Sequence, residues 1–310
     1  MARNVYTQDQ LKRYLEHIQF PGDHDSVLRD ASNDPLGLLT KLQIHHMSHV
    51  PFESLSLHYS RCRLLSLDPE DLFVKIVEKG RGGYCMEVNR FFATVLRTLG
   101  YTLISAGGRV RGQAGYNGWD HMVNLVTIGQ KRYLVDVGFG SNDPPYPVPL
   151  EHDYEFVGVA PFRGRLQYRS LDEHSDPSQR VWVYSGQDDE SSPWRDLYAF
   201  VELEFLPGDF EVMNLKTMTT PQSFFVQSVM CMCTVLNSEK TRPVGLLILH
   251  RDYVKKRMGD KSEIIETLGS EDQRVHALEK YFGIVLAPDE RKAIQGLASE
   301  LRPRAKRDHA

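Results

Sequence analysis

Cysteine is scarce in this chain. Four residues in 310, Cys62, Cys85, Cys231 and Cys233, cannot staple a fold of this length, so no disulfide framework is expected and the thiols read as free in a reducing compartment. Long apolar runs are missing too. No stretch approaches the ~18 residues of a membrane span. The opening MARNVYTQDQLKRYLEHI has neither an apolar signal core nor a small-residue cleavage site, so no membrane partner is expected and the protein reads as cytoplasmic. Neither sign of charge predominates: 37 lysines and arginines face 41 aspartates and glutamates, a net charge of -4, which gives no electrostatic reason to expect nucleic acid. The basic tail RPRAKR, Arg302 to Arg307, is too short to change that and reads as a solvated, frayed end. Cofactor and metal signatures are absent as well. No G-x-x-x-x-G-K-[ST] loop exists, and Gly138-Phe139-Gly140 is not a dinucleotide fingerprint, so phosphoryl transfer has no machinery. His45 and His49 stand one helical turn apart beside His46, but the glutamate of H-E-x-x-H is missing and no fourth ligand is evident; no metal is expected. Cys231 and Cys233 form only C-x-C in an apolar, strand-like stretch, and with the solitary Cys62 they read as structural.

What remains is an ordinary globular composition, 41% hydrophobic and 25% charged, enough to bury a large core over two or three domains. The first hundred residues carry helical punctuation. Thr7-x-x-Gln10 is a capping box ahead of Leu11, Tyr14, Leu15 and Ile18. Asp68-Pro69 opens a helix through Leu72, Phe73, Ile76 and Val77 that Gly80 stops, and Cys85 to Leu99 shows one broad apolar face ended by Gly100. From Tyr101 the period shortens to strands: TLISAGGRV, MVNLVTI, KRYLVDVGF, RLQYRSL, RVWVYSG and LYAFVELEF, a pattern for a small barrel or curled sheet. The remainder mixes strands such as VGLLILH with two helices, capped at Ser270-x-x-Gln273 and opening at Pro288. The expected class is α+β, in three units over residues 1–102, 103–208 and 209–310.

One stretch asks for a chemical explanation. RGGYCMEVNRFF sets Cys85 after two glycines at the start of a helix, where unpaired N–H groups and the positive dipole end favour a thiolate, a setting that a merely buried thiol does not need. Downstream, HMVNLVTI and KRYLVDVGF are two strands joined at Gly129-Gln130, a pair suited to a two-residue type II′ turn. That turn sets Ile128 opposite Lys131 and Val123 opposite Asp136. His121 and Asp136 then become diagonal neighbours on one face, roughly 7–8 Å apart at Cα. Asp136 would orient the His121 ring, His121 would take the Cys85 proton, and the Cys85 N–H would receive a developing oxyanion, the logic of a Cys-His-Asp triad. Three rivals share these residues: a papain-like or transglutaminase-like hydrolase, a non-catalytic binding protein, and an acyltransferase working on thioesters.

The chain resembles the arylamine N-acetyltransferases, fungal-type branch, through RGGYCMEVN around Cys85, HMSHVPFESLSLH, His121, VDVGFG around Asp136 and DFEVMNLKTMTTPQSFF, all in the family's order. The resemblance implies a helical bundle, a β-barrel and an α/β lid around a papain-like Cys-His-Asp core. It implies ping-pong transfer from acyl-coenzyme A to an arylamine or arylhydrazine, with Cys85 acylated, His121 its base and Asp136 the orienting carboxylate. No tightly bound cofactor is implied; acetyl-CoA or malonyl-CoA is a co-substrate, some fungal members preferring the malonyl donor. By the same likeness Phe139 and Phe225 line the acceptor slot, Gly118, Asn117 and Ser223 lie along the pantetheine arm, and Glu87 is a structural buried acid. Arg109 or Arg111, on the strand before His121, is expected to bind a malonyl carboxylate through its planar fork. The sequence assigns no oligomeric state.

Overall fold

The computed structural model describes residues 5–302, so the basic tail after Arg302 lies outside the described residues. Thr7 caps α1 (Gln8–His17) reciprocally: its hydroxyl accepts the Gln10 N–H at 3.2 Å and the Gln10 side chain accepts the Thr7 N–H at 2.9 Å. Next come α2 (Val27–Asn33) and α3 (Pro35–His49), the latter capped by Asp34, and a two-residue strand β1 (Phe52–Glu53). Asp68 caps α4 (Pro69–Phe73), with Pro69 in its first turn. The helix expected to run on through Val77 widens instead into a π-helix over Val74–Glu78 before Gly80 ends it at φ +60°. That turn carries Lys75, whose ammonium meets the buried carboxylates of Glu87 at 2.6 Å and Glu53 at 3.8 Å. The amphipathic α5 (Cys85–Thr98) lies across this bundle with Val88, Phe91, Phe92, Val95 and Leu96 fully buried.

The strands β2 (Thr102–Gly112), β3 (Gly115–Tyr116), β4 (His121–Ile128), β5 (Lys131–Val135), β6 (Val148–Pro149), β7 (Tyr154–Val157), β8 (Arg163–Arg169), β9 (Val181–Gln187) and β10 (Arg195–Glu204) form one antiparallel sheet. Its order is β6-β5-β4-β2-β10-β9-β8-β7, with β3 on the end of β2. The sheet curls, barrel-like, around Val123, Leu125, Leu166, Tyr184 and Phe200. The predicted hairpin holds. Ile128 pairs with Lys131 and Asn124 with Val135, and Gly129 sits at φ +61°, the glycine position of a type II′ turn.

Helices α6 (Pro207–Thr219) and α7 (Phe224–Gln227) lead into a second sheet of β11 (Met230–Leu236), β12 (Pro243–His250), β13 (Tyr253–Met258) and β14 (Lys261–Thr267), and α8 (Glu271–Phe282) and α9 (Pro288–Ala293) follow. The edge of this sheet comes from far back in the chain. β1 pairs with β11, Phe52 opposite Met232, so the N-terminal helical region is stitched to the C-terminal one. Leu55 and Tyr59 extend that seam into the core under α8, beside Cys231, Leu249 and Leu278. All four cysteines are free.

Candidate active site

Cys85 is placed by close backbone packing. Gly82 passes so near Pro51 that a Cβ would run into the Pro51 carbonyl oxygen, and the Gly83 N–H donates to that same oxygen at 3.2 Å. Only glycine permits the approach. Tyr84 is extended, its N–H donating to Glu87 at 3.3 Å, and the helix begins at Cys85, whose own N–H has no acceptor within α5. On the other side Gly138 lies over the helix start; a Cβ there would stand 2.7 Å from the Cys85 Cα. Cys85 is only 3% exposed, and its sulfur donates to the Asp120 carbonyl at 3.7 Å.

His121 reaches this sulfur from β4. Its Nε2 is 2.7 Å from the Asp136 carboxylate, which leaves Nδ1 available to Cys85. Burial alone would drive a histidine towards neutrality, but the Asp136 charge and hydrogen bond, together with Cys85, raise His121 well above its ordinary value. Asp136 is wholly buried. Burial favours its acid form, and the His121 charge with hydrogen bonds from His121, Asn89 and Gly138 outweighs it, so the carboxyl is held below the usual range. Asn89, one turn beyond Cys85 on α5, ties the pieces together: its Nδ2 donates to Asp136 at 2.8 Å and to the Met122 carbonyl at 2.8 Å, and its Oδ1 accepts the Val137 N–H at 3.1 Å. The sequence signal for it is a polar residue in the middle of an apolar helix face.

Cys85 and His121 open onto a cleft of about 690 Å³ between the barrel-like sheet, α6 and the second sheet. Of the residues singled out from sequence, Asn117, Phe139, Ser223 and Phe225 line it. The Phe139 ring packs 5.2 Å from the His121 ring, and Phe225 packs on Tyr84 at 5.2 Å. Gly118 lies just behind the wall, where a Cβ would stand 3.3 Å from the Lys216 ammonium. Arg109 is elsewhere. His121 pairs with Gly108 across the sheet, so Arg109, one residue on, faces away; its guanidinium stacks 4.0 Å above Trp119 and donates to the Asn117 carbonyl at 3.2 Å. Arg111 shares that face and is paired with Glu173.

Three acids near the site escaped sequence reasoning. Asp120 sits on the cleft wall, raised by burial. Asp143 accepts the N–H groups of Phe139 and of Gly140, the latter at 3.0 Å, and is raised well above normal by burial and then by the Asp136 charge. Glu53, under Gly82, is bonded to its N–H at 3.2 Å. The histidines of α3 serve the bundle: His46 Nδ1 meets the Tyr14 hydroxyl at 3.1 Å, and the His45 and His49 rings stack at 6.1 Å. Among the described residues no group of three or more potential ligands is arranged for a metal ion.

A model of the N-acetyltransferase family matches residues 35–291. The N-malonyltransferase FDB2 of Fusarium pseudograminearum is 38% identical over 93% of this chain and 92% of its own length. Arylamine N-acetyltransferase 1 of Homo sapiens is 28% identical over 89% and 94%. The solved Mycobacterium marinum arylamine N-acetyltransferase in complex with CoA superposes with a TM-score of 0.73 at 27% identity, covering 92% of this chain and 96% of that one. With the cysteine and imidazole lining one cleft and the carboxylate buried behind the ring, the chain belongs to the arylamine N-acetyltransferase family of acyl-CoA-dependent acyltransferases.

Proposed function

We propose that the enzyme transfers a malonyl group from malonyl-CoA to an arylamine or arylhydrazine nitrogen, by two half-reactions through a Cys85 thioester. The observation that carries this reading is the His121 ring bonded to Asp136 on one edge, with Cys85 close enough to act on the ring's charge, the ring and the sulfur both lining the cleft. In the first half-reaction the sulfur attacks the thioester carbonyl, the Cys85 N–H stabilises the oxyanion, and coenzyme A leaves as a thiol with the proton held by His121. In the second the amine attacks the acyl-enzyme, its proton passes to His121, and Cys85 departs. Asp136 keeps the ring in register and its charge supports the imidazolium.

Within this mechanism Phe139 and Phe225 flank the acceptor ring, Asn117, Gly118 and Ser223 border the pantetheine arm, and Arg109 braces the Asn117–Trp119 edge from outside the cleft. Residues 1–102 bring the sulfur, 103–208 the imidazole and carboxylate, and 209–310 the far wall, and the free thiols suit work in the cytoplasm. The donor assignment is supported by the 38% identity to an N-malonyltransferase against 28% to the human arylamine N-acetyltransferase. Intact-mass measurement tests both parts. Incubation with malonyl-CoA alone should add one malonyl group to wild type and none to Cys85→Ser or His121→Ala; an adduct that survives the loss of Cys85 would defeat the mechanism, and faster acylation by acetyl-CoA would defeat the donor choice.

A further inference from the structure

A malonyl donor differs from an acetyl donor by one carboxylate, so an enzyme that prefers it needs a cation close to the acyl group. Neither arginine before His121 meets that need, since Arg109 is committed to Trp119 and Asn117 and Arg111 to Glu173. The two lysines on the cleft wall are Lys216 and Lys255. Lys216 lies by Gly118 in the field of Asp120. Lys255 stands on the opposite wall, half-buried, and among the described residues no carboxylate pairs with it.

Resting on the malonyl reading above, we propose that Lys255 binds the carboxylate of the donor's acyl group and thereby sets the preference for malonyl over acetyl. Its place follows from register. Met230, His250 and Tyr253 form one row across β11, β12 and β13, and Met232, Ile248 and Lys255 the next; all six side chains face the cleft. The second row starts at the sulfur end, because Met232 Sδ lies 3.2 Å from where a Cβ at Gly140 would stand, and Gly138, two residues before, covers Cys85. Two strand spacings put the Lys255 Cα about 10 Å from that of Met232. Five bonds of ~1.5 Å give its ammonium a reach of about 6 Å from its own Cα. A malonyl group on the sulfur extends about 5 Å, by the same bond lengths. Flanked across the sheet by Ile248 and Ile264, an ammonium with no carboxylate partner is open to an entering carboxylate.

The test compares the first half-reaction of wild type, Lys255→Met and Lys255→Glu with malonyl-CoA and with acetyl-CoA, following release of the coenzyme A thiol. Loss of one charged hydrogen bond should lower kcat/KM for malonyl-CoA about tenfold to a hundredfold in Lys255→Met while acetyl-CoA changes little, and Lys255→Glu should fall further. An unchanged malonyl-to-acetyl ratio in both variants, or equal loss with both donors, overturns the proposal. A wild type that ignores malonyl-CoA removes the donor reading itself and this assignment with it. Should the damage be confined to p-aminobenzoate as acceptor with an acetyl donor, the ammonium reads the acceptor's carboxylate and the proposal is wrong.

Discussion

Asn89→Asp changes one buried atom and tests whether a carboxamide is what keeps Asp136 charged. Asn89 Nδ2 stands 2.8 Å from Asp136, so the substitution sets two carboxyls face to face with no water between them. Both ionised, they would repel by about 6 kcal/mol at an effective dielectric near 20. The pair avoids this by binding a proton, and holding a carboxyl with an ordinary value near 4 protonated costs about 1.4 kcal/mol per pH unit above it. The added cost is then about 5 kcal/mol at pH 8 and about 1.5 kcal/mol at pH 5, and the Met122 carbonyl, losing its donor at 2.8 Å, adds about 1–3 kcal/mol at either pH. The sign is fixed: the native variant binds a proton that the unfolded chain has released, so its stability relative to wild type is best below about pH 4 and declines as pH rises. Against a total of about 5–15 kcal/mol, the variant should be marginal at pH 8 and folded at pH 5. Urea midpoints for both proteins at the two pH values measure this, with slopes compared to confirm that the same surface unfolds. A penalty equal at pH 5 and pH 8 within about 1 kcal/mol would refute the donor role of Asn89.

Asp136→Asn should leave folding measurable but cut the rate of Cys85 acylation by roughly 10⁴-fold, because His121 loses the charge that raises it; imidazole nitrogen shifts should show the ring neutral at pH 7, and a ring still protonated would contradict this. Asp143→Ala frees the Phe139 and Gly140 N–H groups from their acceptor, so KM for the arylamine should rise at least about tenfold while acylation by the donor moves little; Asp143→Asn, keeping one acceptor oxygen, should lie between, and parallel loss in both half-reactions would count against a positioning role. Burial lowers His46 to about 3 and His17 to about 4, so the native state refuses protons that the unfolded chain accepts below its ordinary 6.5. Stability should therefore decline as pH falls from 6.5 towards 4, and His46→Gln should flatten that decline in acid denaturation; an unchanged slope would mean the ring is not held neutral.

How much of this was legible beforehand depended on sequence distance. The Thr7 capping box, the Asp68-Pro69 helix start and the Gly129 turn each act over two to four residues, so their chemistry is written side by side in the chain. The β1–β11 pairing is different. Phe52 and Met232 meet through a strand of two residues, too short for any alternation, and nothing near Phe52 names a partner that far away. The widened turn after Phe73 was hidden for a related reason: Ile76 and Val77 fit helical spacing, while the buried Glu53 and Glu87 that Lys75 serves lie outside that window.

The site follows the same rule, and the two arginines show where it bites. His121 and Asp136 share a hairpin, so a turn type and a period of two are enough to bring them together, and the 2.7 Å contact follows. Arg109 looked equally close along the chain, but its direction depends on β2 pairing with β4, which no local turn sets: with Gly108 opposite His121, period two turns Arg109 and Arg111 to the far face. Lys255 is the converse. Its own neighbours, YVKKRM, give no hint of a site, and only the β12–β13 register, with Ile248 opposite, brings it onto the wall of the cleft that Cys85 lines. The meeting of His121 with Asp136 was readable because one turn relates their strands. The residues of the far cleft wall sit on elements from different parts of the chain, so they come together only once the sheets are assembled.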